Sequence, residues 1–121
     1  MKLKVTESGE QQALVDWANA MIATGKYPDL YWLFAIPNGG LRNKATAIKL
    51  KREGVRAGVP DLCLPIPRRN YHGLFIELKV GRRQPSEQQG EWIRHLMRKG
   101  YRVCVAYGFE DAQLALVEYL K

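Results

Sequence analysis

The chain of 121 residues has the length of one ordinary domain, and an apolar fraction of 46% is enough for one hydrophobic core. The formal net charge of +7 favours a polyanionic partner, of which nucleic acid is the commonest. No apolar run approaches the roughly 20 residues that span a bilayer, and the first ten residues lack the apolar stretch of a secretory signal. We therefore expect a cytoplasmic protein that has no membrane partner.

The cysteines and histidines do not have the spacing of a zinc site. Cys63 and Cys104 each lie inside an apolar run, and His72 and His95 are far from each other in the chain. Two cysteines in a reducing compartment favour buried free thiols over a disulfide.

The first predicted element is a helix. Apolar side chains recur at helical spacing after Thr6, which is a plausible N-cap, and Gly25 and Pro28 end the pattern. The six consecutive apolar residues 30–35 then predict a fully buried strand, with Trp32 in the core.

The next elements are a short helix over residues 43–54, whose outer face is basic, and two strands. The strands cover residues 62–66 and 74–80, and the short basic turn between them suits an antiparallel hairpin.

A third helix begins after Ser86, where Gln89 at the third position gives a capping-box pattern. A strand over residues 101–108 and a terminal helix complete the chain. The order αβαββαβα predicts a single α/β domain over residues 1–121, with a mixed central β-sheet flanked by helices.

The chemistry of the chain is concentrated in the predicted hairpin. Side chains alternate along a strand, so Glu77 and Lys79 share one face, and the hairpin can bring Asp61 close to Glu77. Two neighbouring carboxylates repel each other unless a cation lies between them, and oxygen ligands suit Mg²⁺ or Mn²⁺. The backbone carbonyl of Leu78 could add a ligand. Lys79 could orient a water, assist its deprotonation or hold a phosphate, and together these groups suit phosphodiester hydrolysis.

A structural explanation competes with this one. Glu77 and Lys79 could form an ordinary ion pair, and the Pro60–Asp61 dipeptide is by itself a turn signal. Each motif alone is weak, but the two joined by a hairpin within a basic domain are much more specific.

The motifs carry a family resemblance. P-D followed by E-x-K on the next strand resembles the PD-(D/E)XK nuclease superfamily, which has the restriction-endonuclease-like fold. The longer pattern of IPNGG, GVRAGVPDL, GLFIELK and SEQQGEW resembles the VRR-NUC (virus-type replication-repair nuclease) family, from about residue 6 to residue 120. The resemblance implies an endodeoxyribonuclease that depends on Mg²⁺ or Mn²⁺. The chain is similar to the stand-alone phage and bacterial members of the family. This similarity implies a location in the cytoplasm, either of the phage host or of the bacterium.

The resemblance also implies roles for individual residues. Asp61 and Glu77 resemble the metal-binding carboxylates, Lys79 resembles the catalytic lysine, and Asn38 fits a loop position near the site.

Two further roles each have two candidates. Gln89 resembles the helix glutamine that follows the core motif, with Gln88 as its alternative. Glu7 best fits the acid of the first helix, with Glu10 on the same face as its rival.

Basic side chains could contact DNA phosphates, although such residues are usually solvated. The candidates are Lys44, Lys49, Lys51, Arg52, Arg68, Arg69, Arg82 and Arg83.

The resemblance implies branched DNA, including four-way junctions, as the substrate, and a homodimer suits the two-fold symmetry of a junction. Two other functions stay open: a basic DNA-binding module without catalysis, and a nuclease subunit that needs a partner for specificity.

Overall fold

The structure, a computed structural model, describes residues 4–37 and 43–121. The helices are α1 (Glu7–Thr24), a 3₁₀ helix (Pro28–Trp32), α2 (Lys44–Arg52), α3 (Glu87–Arg98) and α4 (Phe109–Leu120). The strands are β1 (Phe34–Ala35), β2 (Leu62–Leu64), β3 (Leu74–Lys79) and β4 (Arg102–Tyr107). The predicted order of helices and strands is confirmed. None of the described helices is long and apolar enough to cross a bilayer.

The helix ends follow the capping signals in the sequence. The Thr6 hydroxyl accepts the Gly9 N–H at 3.0 Å, and Gly25 ends α1 in the left-handed conformation at φ 77°. At the start of α3, the Ser86 hydroxyl accepts the Gln89 N–H while the Gln89 side chain accepts the Ser86 N–H. These caps satisfy backbone groups that a helix end otherwise leaves unpaired.

The four strands form one sheet in the order β1-β2-β3-β4. The β1–β2 and β2–β3 pairs are antiparallel, as the predicted hairpin requires. The β3–β4 pair is parallel, and α3 supplies the crossover between these strands. The sheet is therefore mixed, as predicted.

The core lies on the face of the sheet that carries Ile76 and Leu78, where both side chains are 1% exposed. Leu14 of α1 and Leu116 of α4 are fully buried in the same cluster. Since alternate residues of β3 point to opposite faces, Glu77 and Lys79 lie on the other face of the sheet.

The prediction of a buried strand over residues 30–35 is wrong. A 3₁₀ helix repeats every three residues, so Leu30 and Leu33 turn inward and pack in or against the core. Trp32 is 56% exposed, and β1 contains only two residues, both exposed. The continuous apolar run predicted that all of these side chains are buried. In the 3₁₀ helix only every third side chain faces the core, and the side chains between them are exposed.

Both cysteines are free thiols, as predicted. Cys63 is buried, and this burial raises the pKa of its thiol to about 11. Cys104 is partly buried, and its thiol pKa is also raised, chiefly by burial. Neither thiol therefore has the lowered pKa of a reactive cysteine.

Candidate active site

The antiparallel register brings the two hairpin acids together. Leu62 pairs with Ile76, so continuing the register by one residue sets Asp61 opposite Glu77. The Ile36 N–H donates to the Asp61 backbone carbonyl at 2.8 Å, which fixes Asp61 from the β1 side as well. The acids thus meet where β2 begins and β3 ends.

The Asp61 side chain is itself held by the backbone of β3. Its Oδ2 accepts the Leu78 N–H at 2.7 Å, in place of a partner from the β2 backbone. A charged acceptor on a backbone amide makes a short, strong hydrogen bond. The Asp61 carboxylate is therefore held beside Glu77, where β2 begins and β3 ends.

The Leu78 backbone carbonyl also points towards the β2 side of β3, where Asp61 lies. The Lys79 carbonyl accepts the Gly108 N–H on the β4 side, and neighbouring residues of a strand direct their carbonyls to opposite sides. Continuing the register by two residues sets Pro60 opposite Leu78, and proline has no N–H to donate. This is a physical reason why the Leu78 carbonyl is suited to bind a ligand.

Glu77 is the most constrained group of the site. Its side chain is 1% exposed, and its buried Oε1 has no hydrogen-bond partner among the described residues. Burial raises the pKa of the Glu77 carboxyl to about 9, helped by hydrogen bonding and repulsion from Asp61 and by the charge of Glu7, while Lys79 opposes the rise. Without a cation, the Glu77 carboxyl is therefore protonated at neutral pH.

Glu7, in the first turn of α1, adds a third acid to this cluster. Its Oε2 is buried and makes no hydrogen bond in the described structure, although Arg83 Nη1 lies 3.7 Å away. The influence of Glu7 on the pKa of Glu77 places the two carboxyls in one electrostatic environment. We call Glu7, Asp61 and Glu77 the acid cluster.

Glu10, the rival of Glu7, has a different position. Its Oε1 accepts the Phe109 N–H at 3.2 Å, at the amino end of α4, where the helix dipole favours negative charge. Glu10 therefore joins α1 to α4, and Glu7, almost one helical turn earlier, reaches the site.

Lys79 ends β3 on the Glu77 face of the sheet and is 7% exposed. Its positive charge opposes the rise in the pKa of the Glu77 carboxyl, because it favours the ionised form of that group. The ion pairs within 4.0 Å among the described residues join Arg68 to Asp29, Arg83 to Glu7 and Lys121 to Glu118. The Lys79 ammonium is thus next to the acids without a short ion pair that would hold it.

The two glutamine candidates both lie at the start of α3. Gln89 Oε1 accepts the Ser86 N–H at 2.8 Å, so its carbonyl oxygen is used by the capping box. Gln88 packs its backbone against Gly58, where an added Cβ would lie only 2.8 Å from the Gln88 carbonyl oxygen. At φ 92°, Gly58 is also in a conformation that favours glycine. This close packing sets the path of the chain into Asp61.

The residues of the site fit a divalent cation by their chemistry. All three acids offer oxygen ligands, and two buried carboxylate oxygens, on Glu7 and Glu77, have no hydrogen-bond donor. In the described ranges, no set of three acidic, cysteine or histidine side chains is arranged to hold an ion unaided. Mg²⁺ commonly uses one or two carboxylates and completes its coordination with waters and substrate phosphate, so this arrangement is sufficient.

The basic residues lie on several separate parts of the fold. Arg83 contacts the acid cluster, and Arg82 is exposed beside it in the chain. The α2 helix has no buried residue and exposes Lys44, Lys49, Lys51 and Arg52. The position of Asn38 lies outside the described residues.

Arg68 and Arg69 lie at the opposite end of the hairpin. Arg68 Nη2 bonds Asp29 Oδ2 at 2.7 Å, and Arg69 Nη2 reaches the carbonyls of Glu118 and Tyr119 at 3.5 and 3.4 Å. The length of β3 separates them from the acids by roughly 17 Å, at about 3.3 Å per residue. The fold does not bring these two arginines to the acid cluster.

Sequence analysis did not find three of the contacts that shape the site. These are the approach of Arg83 to Glu7, the bond from Phe109 to Glu10, and the packing of Gly58 on Gln88. The first two leave no local signal, because their partners are distant in sequence. A glycine two residues before Pro60 was a visible signal for a tight turn, but it did not identify the partner.

Comparison with known proteins identifies the family and the fold. Residues 7–110 match the VRR-NUC domain family. A solved structure described as a VRR_NUC domain protein is 32% identical, with a TM-score of 0.81 over 98% of this chain and 91% of that chain. A search among curated proteins found no match. The predicted family resemblance and the predicted α/β fold class are confirmed.

The raised pKa of Glu77 predicts how stability depends on pH in the absence of metal. Between about 4.5 and about 9 the folded state holds a proton that the unfolded state has released, so the free energy of unfolding falls as pH rises through this window. Urea denaturation in EDTA at a series of pH values measures this slope.

Glu77→Gln should flatten the slope, and saturating Mg²⁺ should reduce it in the wild-type protein. The matched variant Glu110→Gln, at an exposed position in the first turn of α4, should leave it unchanged. A wild-type slope that Glu77→Gln does not alter would contradict the assignment of the proton to this carboxyl.

Proposed function

The chain belongs to the VRR-NUC domain family, which has a nuclease-type fold, and on that premise we propose that it is an Mg²⁺- or Mn²⁺-dependent endodeoxyribonuclease. The observation that carries the proposal is the buried Glu77 Oε1, which has no hydrogen-bond donor in the described structure and lies in a cluster with Asp61 and Glu7. An ordinary structural carboxyl would have partners for both oxygens, since a buried polar atom without a partner is costly, and an ionised one more so. A divalent cation bound here would remove that cost.

The chain supplies the groups that hold such an ion. We assign the ligands to the set Glu7, Asp61, Glu77 and the backbone carbonyl of Leu78, with one or two of the carboxylates bound directly and waters or substrate phosphate completing the coordination. When bound, the ion lowers the pKa of a water and neutralises charge on the scissile phosphate. The hydrogen bond from the Leu78 N–H keeps the Asp61 carboxylate in place, so little reorganisation is needed during the reaction.

Lys79 is assigned a direct role in the reaction, through contact with the attacking water and the phosphate. From its place at the end of β3, its ammonium orients the attacking water and stabilises negative charge that develops on the phosphate. Because the side chain is largely buried, its charge acts in a region of low dielectric, where it is more effective than in water. Gln89 is proposed as a secondary contact, since its carbonyl oxygen is already used at the helix cap.

Removing the charged groups should abolish cleavage while the protein still folds. We expect Asp61→Ala, Glu77→Ala and Lys79→Ala each to lower the rate of metal-dependent DNA cleavage by about 100-fold or more, as loss of one electrostatic contact does in other enzymes. Lys121→Ala is the matched control, because it removes the same charge from the end of α4, where Lys121 pairs with Glu118. Circular dichroism checks folding, and full activity of a folded Lys79→Ala protein would refute its role.

The two acids of α1 provide a matched pair of substitutions. Glu7→Gln should weaken Mn²⁺ binding, measured by calorimetry, and slow cleavage, because it removes a charge from the acid cluster. Glu10→Gln keeps an oxygen acceptor for the Phe109 N–H and should change neither. The reverse result would assign the ligand role to Glu10.

Branched DNA is the proposed substrate, with four-way junctions included. The support is the family membership and the excess of basic side chains, which suits a substrate with closely spaced phosphates. Cutting two strands of a two-fold symmetric junction suits a homodimer, which we propose as the active form. The exposed basic face of α2, and Arg82 and Arg83 after β3, are proposed to contact phosphates.

A labelled panel of four-way junction, flap, splayed arm and plain duplex tests substrate choice. With Mg²⁺ or Mn²⁺, we expect branched substrates to be cut faster than plain duplex, and sedimentation to show a dimer. A monomer that cuts only linear ends would contradict the junction proposal. Binding without cleavage under both metals would instead favour a DNA-binding module.

A further inference from the structure

Three neighbouring aromatic side chains face solvent beside the sheet edge. Tyr31, Trp32 and Phe34 are 66%, 56% and 48% exposed, and we call them the aromatic patch. Leu33, between Trp32 and Phe34, packs against the core and anchors this segment. The three aromatic side chains of the patch are therefore not needed to bury the segment.

The patch has a defined geometry. The rings of Tyr31 and Trp32 lie edge to face, with centroids 5.0 Å apart and planes at 89°. In such a pair, the ring that presents its edge keeps both of its own faces open to a ligand. The two rings are therefore held together and still offer a flat apolar surface.

Phe34 is the member of the aromatic patch that the strand register places relative to the acid cluster. Phe34 is in register, through β2, with Phe75, so it lies on the sheet face that carries Glu77. Two residues after Phe34, about 7 Å along the strand, the Ile36 N–H bonds the backbone of Asp61. A strand of DNA that reaches the acids can therefore also reach Phe34, and Trp32 and Tyr31 precede Phe34 by only two and three residues.

A second copy of the chain is a weaker candidate for the occupant. A fully buried aromatic side chain contributes about 150–250 Å², so three half-exposed rings offer on the order of 300–400 Å². A stable interface needs about 800 Å² from each partner, which is more than this patch supplies. The net charge of +7 further favours a polyanion over a second basic chain.

We propose that the aromatic patch is a stacking platform for unpaired nucleobases of the DNA strand bound at the acid cluster. This inference rests on the proposed function and adds to it, because it names the part of the DNA that the chain recognises. Aromatic rings stack on any base without regard to sequence, whereas paired bases in a duplex have no free face. The platform would thus direct the enzyme to single-stranded or opened segments at a branch.

The test compares two labelled single strands of equal length, one of thymidines and one of abasic sites, by fluorescence anisotropy in EDTA. Both carry the same phosphates, so only base contacts distinguish them. We expect the wild-type protein to bind the thymidine strand at least about fivefold more tightly, the lower end of what one stacked base contributes. Trp32→Ala should lose most of this preference, and Trp32→Phe should retain it.

Leu114→Ala is the matched control, since Leu114 is 57% exposed on α4, and its preference should equal that of the wild type. Tyr31→Ala provides a second test if Trp32→Ala does not fold by circular dichroism. Equal binding of both strands by the wild type, or an unchanged preference in folded Trp32→Ala and Tyr31→Ala, would overturn the inference. So would a dimer that Trp32→Ala converts to a monomer in sedimentation, because the patch would then cover a second copy.

Cleavage by the same proteins separates this inference from the proposed function. A wild-type protein that prefers the thymidine strand but cuts no DNA with Mg²⁺ or Mn²⁺ rejects the nuclease assignment alone. A wild-type protein that cuts DNA but shows no preference for bases rejects the stacking platform alone.

Discussion

The site depends on the burial of one carboxylate beside two others. Glu77 lies almost completely out of water, with Asp61 opposite it and Glu7 close enough to raise its pKa. Such an arrangement is unfavourable unless a proton or a cation compensates the charge. The metal-free chain uses a proton, and the Lys79 ammonium opposes that protonation without preventing it. The divalent cation that we propose for this site would replace the proton and compensate the same charge.

The rest of the fold keeps these groups in place. Ile76 and Leu78 anchor β3 to the core from the opposite face, so Glu77 cannot turn away from the acids without disturbing the packing. The hydrogen bond from the Leu78 N–H holds the Asp61 carboxylate in place. The hydrogen bond from the Phe109 N–H to Glu10 joins α4 to α1. Repulsion between the acids is therefore tolerated, because apolar packing elsewhere determines the path of the backbone.

Two kinds of exposed side chain suit the DNA contacts that we propose. Basic side chains on α2 and near the end of β3 suit phosphates, and the aromatic patch suits bases. Phosphate contacts give affinity without selectivity, whereas base stacking distinguishes opened DNA from a duplex. Arg68 and Arg69 belong to neither group, since they join the far end of the hairpin to other parts of the fold.

The sequence by itself determined the helices, the hairpin and the pair Glu77 and Lys79, because capping, hydrophobic periodicity and strand alternation act over a few residues. It also placed Asp61 near Glu77 through the short turn between two strands. Only the tertiary structure gives Glu7 and Glu10 different surroundings, because both share one helix face and only the docking of α1 separates their partners. The same holds for the exposed aromatic patch: an apolar run shows how much surface could be buried, but only the packed fold decides which residues are buried.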